Sequence, residues 1–271
     1  MGGPDKPGHD GTIVGTGPAA YVFLAPAREI AMPNAAAQTI EARTVEASVN
    51  YLIDTGVKPV NETGGGDVRV IRHTGRHDPR IVTIHDGRPH RASFHLDEAG
   101  FELADHPTKM RDFHDPDELT AVYYPEMQRL IAERSGARRV HVFDHTLRTS
   151  DEAERTARKI REPVRSVHND YTDWSGPQRL RDLLPDEAET LLKNRLAIIQ
   201  VWRAINTPIA RNPLAIADAR NLAAAEFIPA ERRFPAASAK STSSNITPPT
   251  AGSGSPRCAA TRPWSSRSMT A

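Results

Sequence analysis

Leu196-Ala197-Ile198-Ile199-Gln200-Val201-Trp202 is the stretch that most restricts what this chain can fold into. An apolar run of this length, too short for a typical helix, reads as a buried strand. A buried strand needs partners beside it and cover above it. The chain supplies candidates: Val68-Arg69-Val70-Ile71-Arg72 alternates as a half-buried strand does, Ile81-Val82-Thr83-Ile84 and Arg139-Val140-His141-Val142-Phe143 read as strands, and Ala99-Gly100-Phe101-Glu102-Leu103 opens another segment. Residues 38–54 fit a strand or a short helix, Val164 to Tyr171 fits a strand, and Leu214 to Asp218 is a shorter version of the 196–202 run. With 22 Pro and 17 Gly punctuating these runs, the pattern predicts a mainly β domain, sandwich or barrel, with helices added.

The helices announce themselves by their ends. Asp115 before Pro116 is an N-cap followed by proline at the first helical position. Pro125 to Ser135 reads as a second helix stopped by Gly136. Asp151 to Arg161 is a charged helix or loop, and Asp186 to Asn194 follows Pro185 as a helix. Residues 1–11 are rich in Gly, Pro and Asp and read as disordered, and Glu62 to Asp67 reads as a loop.

A net charge of +1 provides no strong field for nucleic acid or an anionic membrane. No apolar run approaches a membrane span, and the N-terminus lacks the plan of a signal peptide. Cys258 is the only cysteine, so no disulfide can form within the chain. The expectation is a cytoplasmic protein acting on a small molecule, with no nucleic acid and no membrane. Oligomeric state is not legible.

Thr12 to Ala20 fits G-x-G-x-x-A through Gly15 and Gly17, the phosphate-binding turn of a dinucleotide fold. That fold needs a helix next. The next residues are instead Tyr21-Val22-Phe23-Leu24-Ala25-Pro26, which read as a strand stopped by proline and favour an extended N-terminal arm.

The chemistry-bearing pair is His168 and Asp170. Residues i and i+2 of an extended strand share a face, so an imidazole and a carboxylate can grip one metal ion there. Together they make two-thirds of the 2-His-1-carboxylate face of non-heme Fe(II) oxygenases. The third ligand should be a later histidine, and no histidine follows His168. His95-Leu96-Asp97 is a second H-x-D match and serves as a control on chance. His141, Asp144 and His145 are a further possible metal cluster or simply polar residues at a strand end.

Composition changes abruptly after Phe234. Residues 235–271 contain no Leu, Val, Asp or Glu and are dominated by Ala, Ser, Thr, Pro, Gly and Arg, which reads as a disordered low-complexity tail. They also read as a segment translated out of frame. In the frame that takes one base from each codon and two from the next, Thr250 to Cys258 permits H-R-W-F-W-F-P-E-M, with the first base of each codon free. That text contains the missing histidine.

Several motifs together resemble a known family. They are Tyr123-Tyr124-Pro125-Glu126, Gly136 to Val140, Phe143-Asp144-His145-Thr146-Leu147-Arg148, Val167-His168-Asn169-Asp170-Tyr171-Thr172, Val201-Trp202-Arg203 and Pro213-Leu214-Ala215 with Asp218-Ala219-Arg220, and Gly100 to Leu103 and His106 also fit. From about Asn50 to Phe234 the chain resembles the hydroxylase/desaturase family of fungal and bacterial secondary metabolism. The resemblance implies a double-stranded β-helix (jelly-roll, cupin-like), incomplete here at its C-terminal end, with residues 12–234 as the single oxygenase-like domain and 235–271 as the out-of-frame tail. It implies Fe(II) and 2-oxoglutarate as cofactors and His168 and Asp170 as iron ligands. Arg203 and Arg220 are the candidates for the 2-oxoglutarate carboxylate, since arginine suits bidentate contact; each could equally sit in a structural ion pair, for instance with Asp218. The implied reaction is hydroxylation or desaturation of a small secondary metabolite, impaired in this copy by the absent distal histidine. The alternative is a non-catalytic binding or partner protein of the same fold.

Overall fold

In the computed structural model the apolar run lies inside a ten-residue strand at the centre of a five-stranded sheet. The structure describes residues 13–24, 44–63, 70–205, 212–233, 241–246 and 266–270. Twelve strands are described: β1 (Ile13–Leu24), β2 (Thr44–Leu52), β3 (Val60–Thr63), β4 (Val70–His73), β5 (His77–His85), β6 (Phe101–Leu103), β7 (Ala137–Thr149), β8 (His168–Asn169), β9 (Arg195–Ala204), β10 (Phe227–Arg233), β11 (Ser241–Ile246) and β12 (Ser266–Thr270). The helices are α1 (Pro116–Glu118), α2 (Tyr124–Ser135), α3 (Glu152–Arg158), α4 (Ser175–Leu183) and α5 (Ala188–Leu191), with a π-helical turn over Leu119–Tyr123 joining the first two. One sheet has the order β6-β12-β9-β1-β7 and a second the order β4-β3-β10-β11-β8; β2 and β5 form a separate antiparallel ribbon. The expectation of a mainly β chain with added helices holds.

β9 is buried on both faces. Ala197, Ile199 and Val201 join Met127, Leu130 and Ile131 of α2 in the main core, together with Met110, Phe113, Leu119 and Tyr123. Leu196 and Ile198, on the opposite face, pack with Leu180 of α4 and Ala188 of α5. A strand covered on both sides cannot alternate polar with apolar, and this explains the continuous run. The i, i+3, i+4 spacing of Met127, Leu130 and Ile131 gives α2 its apolar stripe.

Helix ends follow their sequence signals. The Asp115 carboxylate accepts hydrogen bonds from the backbone N–H groups of Asp117 (2.9 Å) and Glu118 (3.3 Å). Gly136, at φ 68°, closes α2 in the left-handed conformation that glycine adopts without steric cost. Asp151 caps α3 through the N–H of Glu154. Buried Glu126 is fixed by Thr108 Oγ1 and by the N–H of Lys109 at 2.9 Å.

Several expectations are corrected. The strand expected over 164–171 shrinks to His168–Asn169. The backbone divides its bonds there: Asn50 of β2 holds Arg165 O and the N–H of Val167, and only His168 and Asn169 pair with β11. Residues 214–218 form no strand, because Asp218 caps a 3-10 turn and the N–H of Ala219 bonds to Ala99 O. The helix expected over 186–194 is only Ala188–Leu191, preceded by a turn in which Glu187 N–H reaches Leu184 O. Gly15 and Gly17 lie within β1, and Gly15 pairs with both Leu147 and Arg203, so no phosphate-binding turn opens a helix at these glycines. Residues 1–11 lie outside the described residues. Of the loop expected over 62–67, Glu62 and Thr63 belong to β3 and the rest lie outside. Within 235–271 only β11 and β12 are described, as strands where composition predicts none; ladder hydrogen bonds come from the backbone and need no particular side chain.

Candidate functional site

His168 and Asp170 sit where β8 gives way to the turn that enters α4. The His168 Nδ1 lies 2.7 Å from Ser166 O. A carbonyl oxygen only accepts, so Nδ1 carries the proton and Nε2 presents its lone pair. That Nε2 lies 3.6 Å from Asp170 Oδ1. The imidazole and the carboxylate are both about one-third exposed, at 30% and 36%, so a small ion can reach the gap.

The second carboxylate oxygen is already engaged. Asp170 Oδ2 accepts from Gln200 Nε2, and Gln200 Oε1 accepts from Trp202 Nε1 at 3.2 Å. Gln200 and Trp202 continue the β9 face that begins with Leu196 and Ile198, by the two-residue period of a strand. The same face therefore runs from core packing into the site.

Arg148 is a largely buried cation that interacts electrostatically with Asp170. Burial pushes the Arg148 guanidinium below its ordinary range, Arg161 adds to this, Asp170 opposes it and Arg232 adds again. Arg148 Nη1 donates to Glu162 O at 2.7 Å, while its Nε is buried without a hydrogen-bond partner, as is the Nε of Arg232. Tyr171 follows Asp170 directly in the chain. Its ring meets Phe143 edge-on at 6.5 Å between centroids. Burial pushes the phenol up to about 12, Arg179 opposes the rise, and Asp170 and Asp144 reinforce it.

The other sequence candidates fall elsewhere. Arg203 sits on the opposite face of β9 from Gln200, donates to His106 O at 2.5 Å and lies over the Tyr123 ring. Arg220 pairs with Asp218 (Nε to Oδ1, 2.8 Å), reaches Ser93 O at 3.2 Å and lies over Phe94. The structure therefore brings together His168 and Asp170, and neither of these arginines with them. His145 Nδ1 is bonded to the Tyr124 hydroxyl at 2.6 Å, and Asp144 and His145, being consecutive in β7, face opposite ways. In the control motif Asp97 is taken by Arg195 at 2.8 Å, and Leu96 is a core residue.

Sequence reasoning did not single out Gln200, Ser166 or Arg148 as site residues. A glutamine interrupting an apolar strand was the available signal for the first. The others depend on long-range pairing.

The donor types fit a divalent cation as a half-site: one neutral imidazole nitrogen and one carboxylate oxygen, adjacent and accessible. They do not complete a three-ligand face. Among the described residues no group of three or more His, Cys, Asp or Glu could hold a metal, and His168 is the last histidine of the chain. Among the described residues no helix is long and apolar enough to cross a membrane.

Comparison with known proteins adds a family match, two relatives and a solved structure. Residues 49–250 match the family model described as an oxidoreductase/YMDC permease-like domain. An oxidoreductase of Emericella nidulans is 28% identical over 201 residues, covering 70% of this chain and 65% of its own length. A hydroxylase/desaturase of Cercospora beticola is 31% identical over 189 residues, covering 65% of this chain and 57% of its own. The chain thus spans less than two-thirds of either relative. The solved structure of the iron and alpha-ketoglutarate-dependent endoperoxidase NvfI superposes with a TM-score of 0.60 at 19% identity, covering 82% of this chain and 92% of that one. The two chains share a fold.

Proposed function

The chain belongs to the oxidoreductase/YMDC permease-like domain family, and from that premise we propose that it is an Fe(II)/2-oxoglutarate-type hydroxylase or desaturase scaffold for a small secondary metabolite, impaired as written by the lack of a distal histidine. The observation that carries this reading is the His168 Nε2 lone pair set 3.6 Å from Asp170 Oδ1. The names of the relatives and of the matching structure supply the cofactor class. The two five-stranded sheets are read as the halves of a double-stranded β-helix, residues 12–234 as the oxygenase-like domain, and 235–271 as a tail read out of frame.

Iron with 2-oxoglutarate and O₂ supplies the oxidising power for attack on an unactivated C–H bond, and the protein binds and orients. Here His168 and Asp170 would be the ion's protein donors. Of the arginines, Arg203 and Arg220 remain candidates for the 2-oxoglutarate carboxylate only if they leave their present partners. Arg148, whose buried Nε has no hydrogen-bond partner, is a third candidate. Tyr171, next to Asp170 in the chain, keeps its proton across the physiological range and adds no charge there. A non-catalytic partner role finds no support among the relatives.

The test is a repair. Restoring the shifted frame from about residue 234 should give Fe(II)-dependent consumption of 2-oxoglutarate, which His168→Ala abolishes. Consumption that is unchanged in the His168→Ala protein would sink the assignment.

A further inference from the structure

We infer that Gln200, held by Trp202, is the positioning residue that fixes Asp170 as a one-oxygen metal ligand. The inference rests on the metal-binding reading of His168 and Asp170 and assigns the reason their geometry is held.

An aspartate just past the end of a two-residue strand is free to rotate about its last bond and to offer an ion either one oxygen or both. Here the two oxygens are separated by task. Oδ1 faces the imidazole at 3.6 Å, and Oδ2 is capped by the Gln200 amide. An amide could cap it with either end only by flipping, and the oxygen end would repel a carboxylate. Trp202 removes the ambiguity. Indole nitrogen only donates, so its 3.2 Å contact requires the oxygen of Gln200 on that side and turns the NH₂ group toward Asp170. The anchor is rigid, because Gln200 and Trp202 stand on β9, whose neighbours Ile199 and Val201 are fully buried. Groups that hydrogen-bond a metal-ligating carboxylate set its orientation and govern affinity.

The experiment is a Co(II) titration of the full-length protein, read by calorimetry and by the visible d–d spectrum, for the wild type and for Asp170→Ala, Gln200→Met and Trp202→Phe. Gln200→Met removes the donor at nearly constant volume. It should weaken Co(II) binding by roughly 10- to 100-fold and alter the d–d bands as the carboxylate swings to two-oxygen contact. Trp202→Phe keeps the aromatic packing and should give a smaller loss of the same kind, which guards against misfolding of the first variant. If Gln200→Met binds Co(II) with wild-type affinity and spectrum while Asp170→Ala does not bind, the positioning role is wrong and the metal pair stands. If Asp170→Ala binds Co(II) as the wild type does, the metal pair itself is wrong, and the role of Gln200 falls with it.

Discussion

β9 and β8 are the two strands that build the site, and they are opposites. β9 runs for ten residues, is covered on both faces, and pairs with β1 and β12. β8 has two residues, pairs only with β11, and carries an imidazole open to solvent. On the proposed reading, the metal-binding pair begins on the weaker strand and is aimed by the stronger one. A ligand that must admit an ion and a substrate cannot be buried in a packed layer. A rigid neighbour can reach across and hold it by a hydrogen bond, at no cost in access.

Substitutions sharpen this contrast. The largest effect should come from Ile199→Ala, which empties a fully buried position between β9 and α2 and should cost about 2–5 kcal/mol in denaturant unfolding. If it costs as little as a surface change, β9 is not the anchor described. A smaller effect should appear in alkali. Tyr171 ionises near 12 in the fold and near 10 when unfolded. Above about pH 10 the unfolded chain therefore gives up this proton first. The stability linked to it is fully present below about pH 10 and drains away as pH rises toward 12. Tyr171→Phe should flatten that alkaline decline, as followed by unfolding midpoints from pH 9 to 12. The smallest effect on stability should be that of His168→Ala, within about 0.5 kcal/mol, although the same change removes metal binding. A large loss of stability in His168→Ala would mean that β8 is structural after all and would erase the contrast.

The same division governs what could be read from sequence. The β9 run and α2 were legible because burial on both faces and a capped apolar stripe leave local marks. The nearness of His168 to Asp170 was legible because only one residue separates them, although Asp170 lies just past the end of β8 rather than on a shared strand face. α4 was not, since Ser175-Gly176-Pro177 looks like a turn. Proline is tolerated in a helix's first turn, and a Cβ on Gly176 would lie 3.7 Å from Ile198 Cδ1, which shows how closely that turn approaches β9. The length of β8 was not legible because its hydrogen bonds are divided between β2 and β11, partners distant in sequence. Whether Arg203 and Arg220 meet a 2-oxoglutarate carboxylate or a structural partner stayed open for the same reason. Both are suited to a carboxylate, but a face of β9 and a neighbouring Asp218 decide what they meet.

The register of β11 against β8 is also an address. Position 245 is the Cα partner of His168, and directly opposed residues of an antiparallel pair share a face with Cβ atoms about 5 Å apart. The ladder therefore ties the backbone of a strand much further along the chain directly to the residue that bears the exposed imidazole.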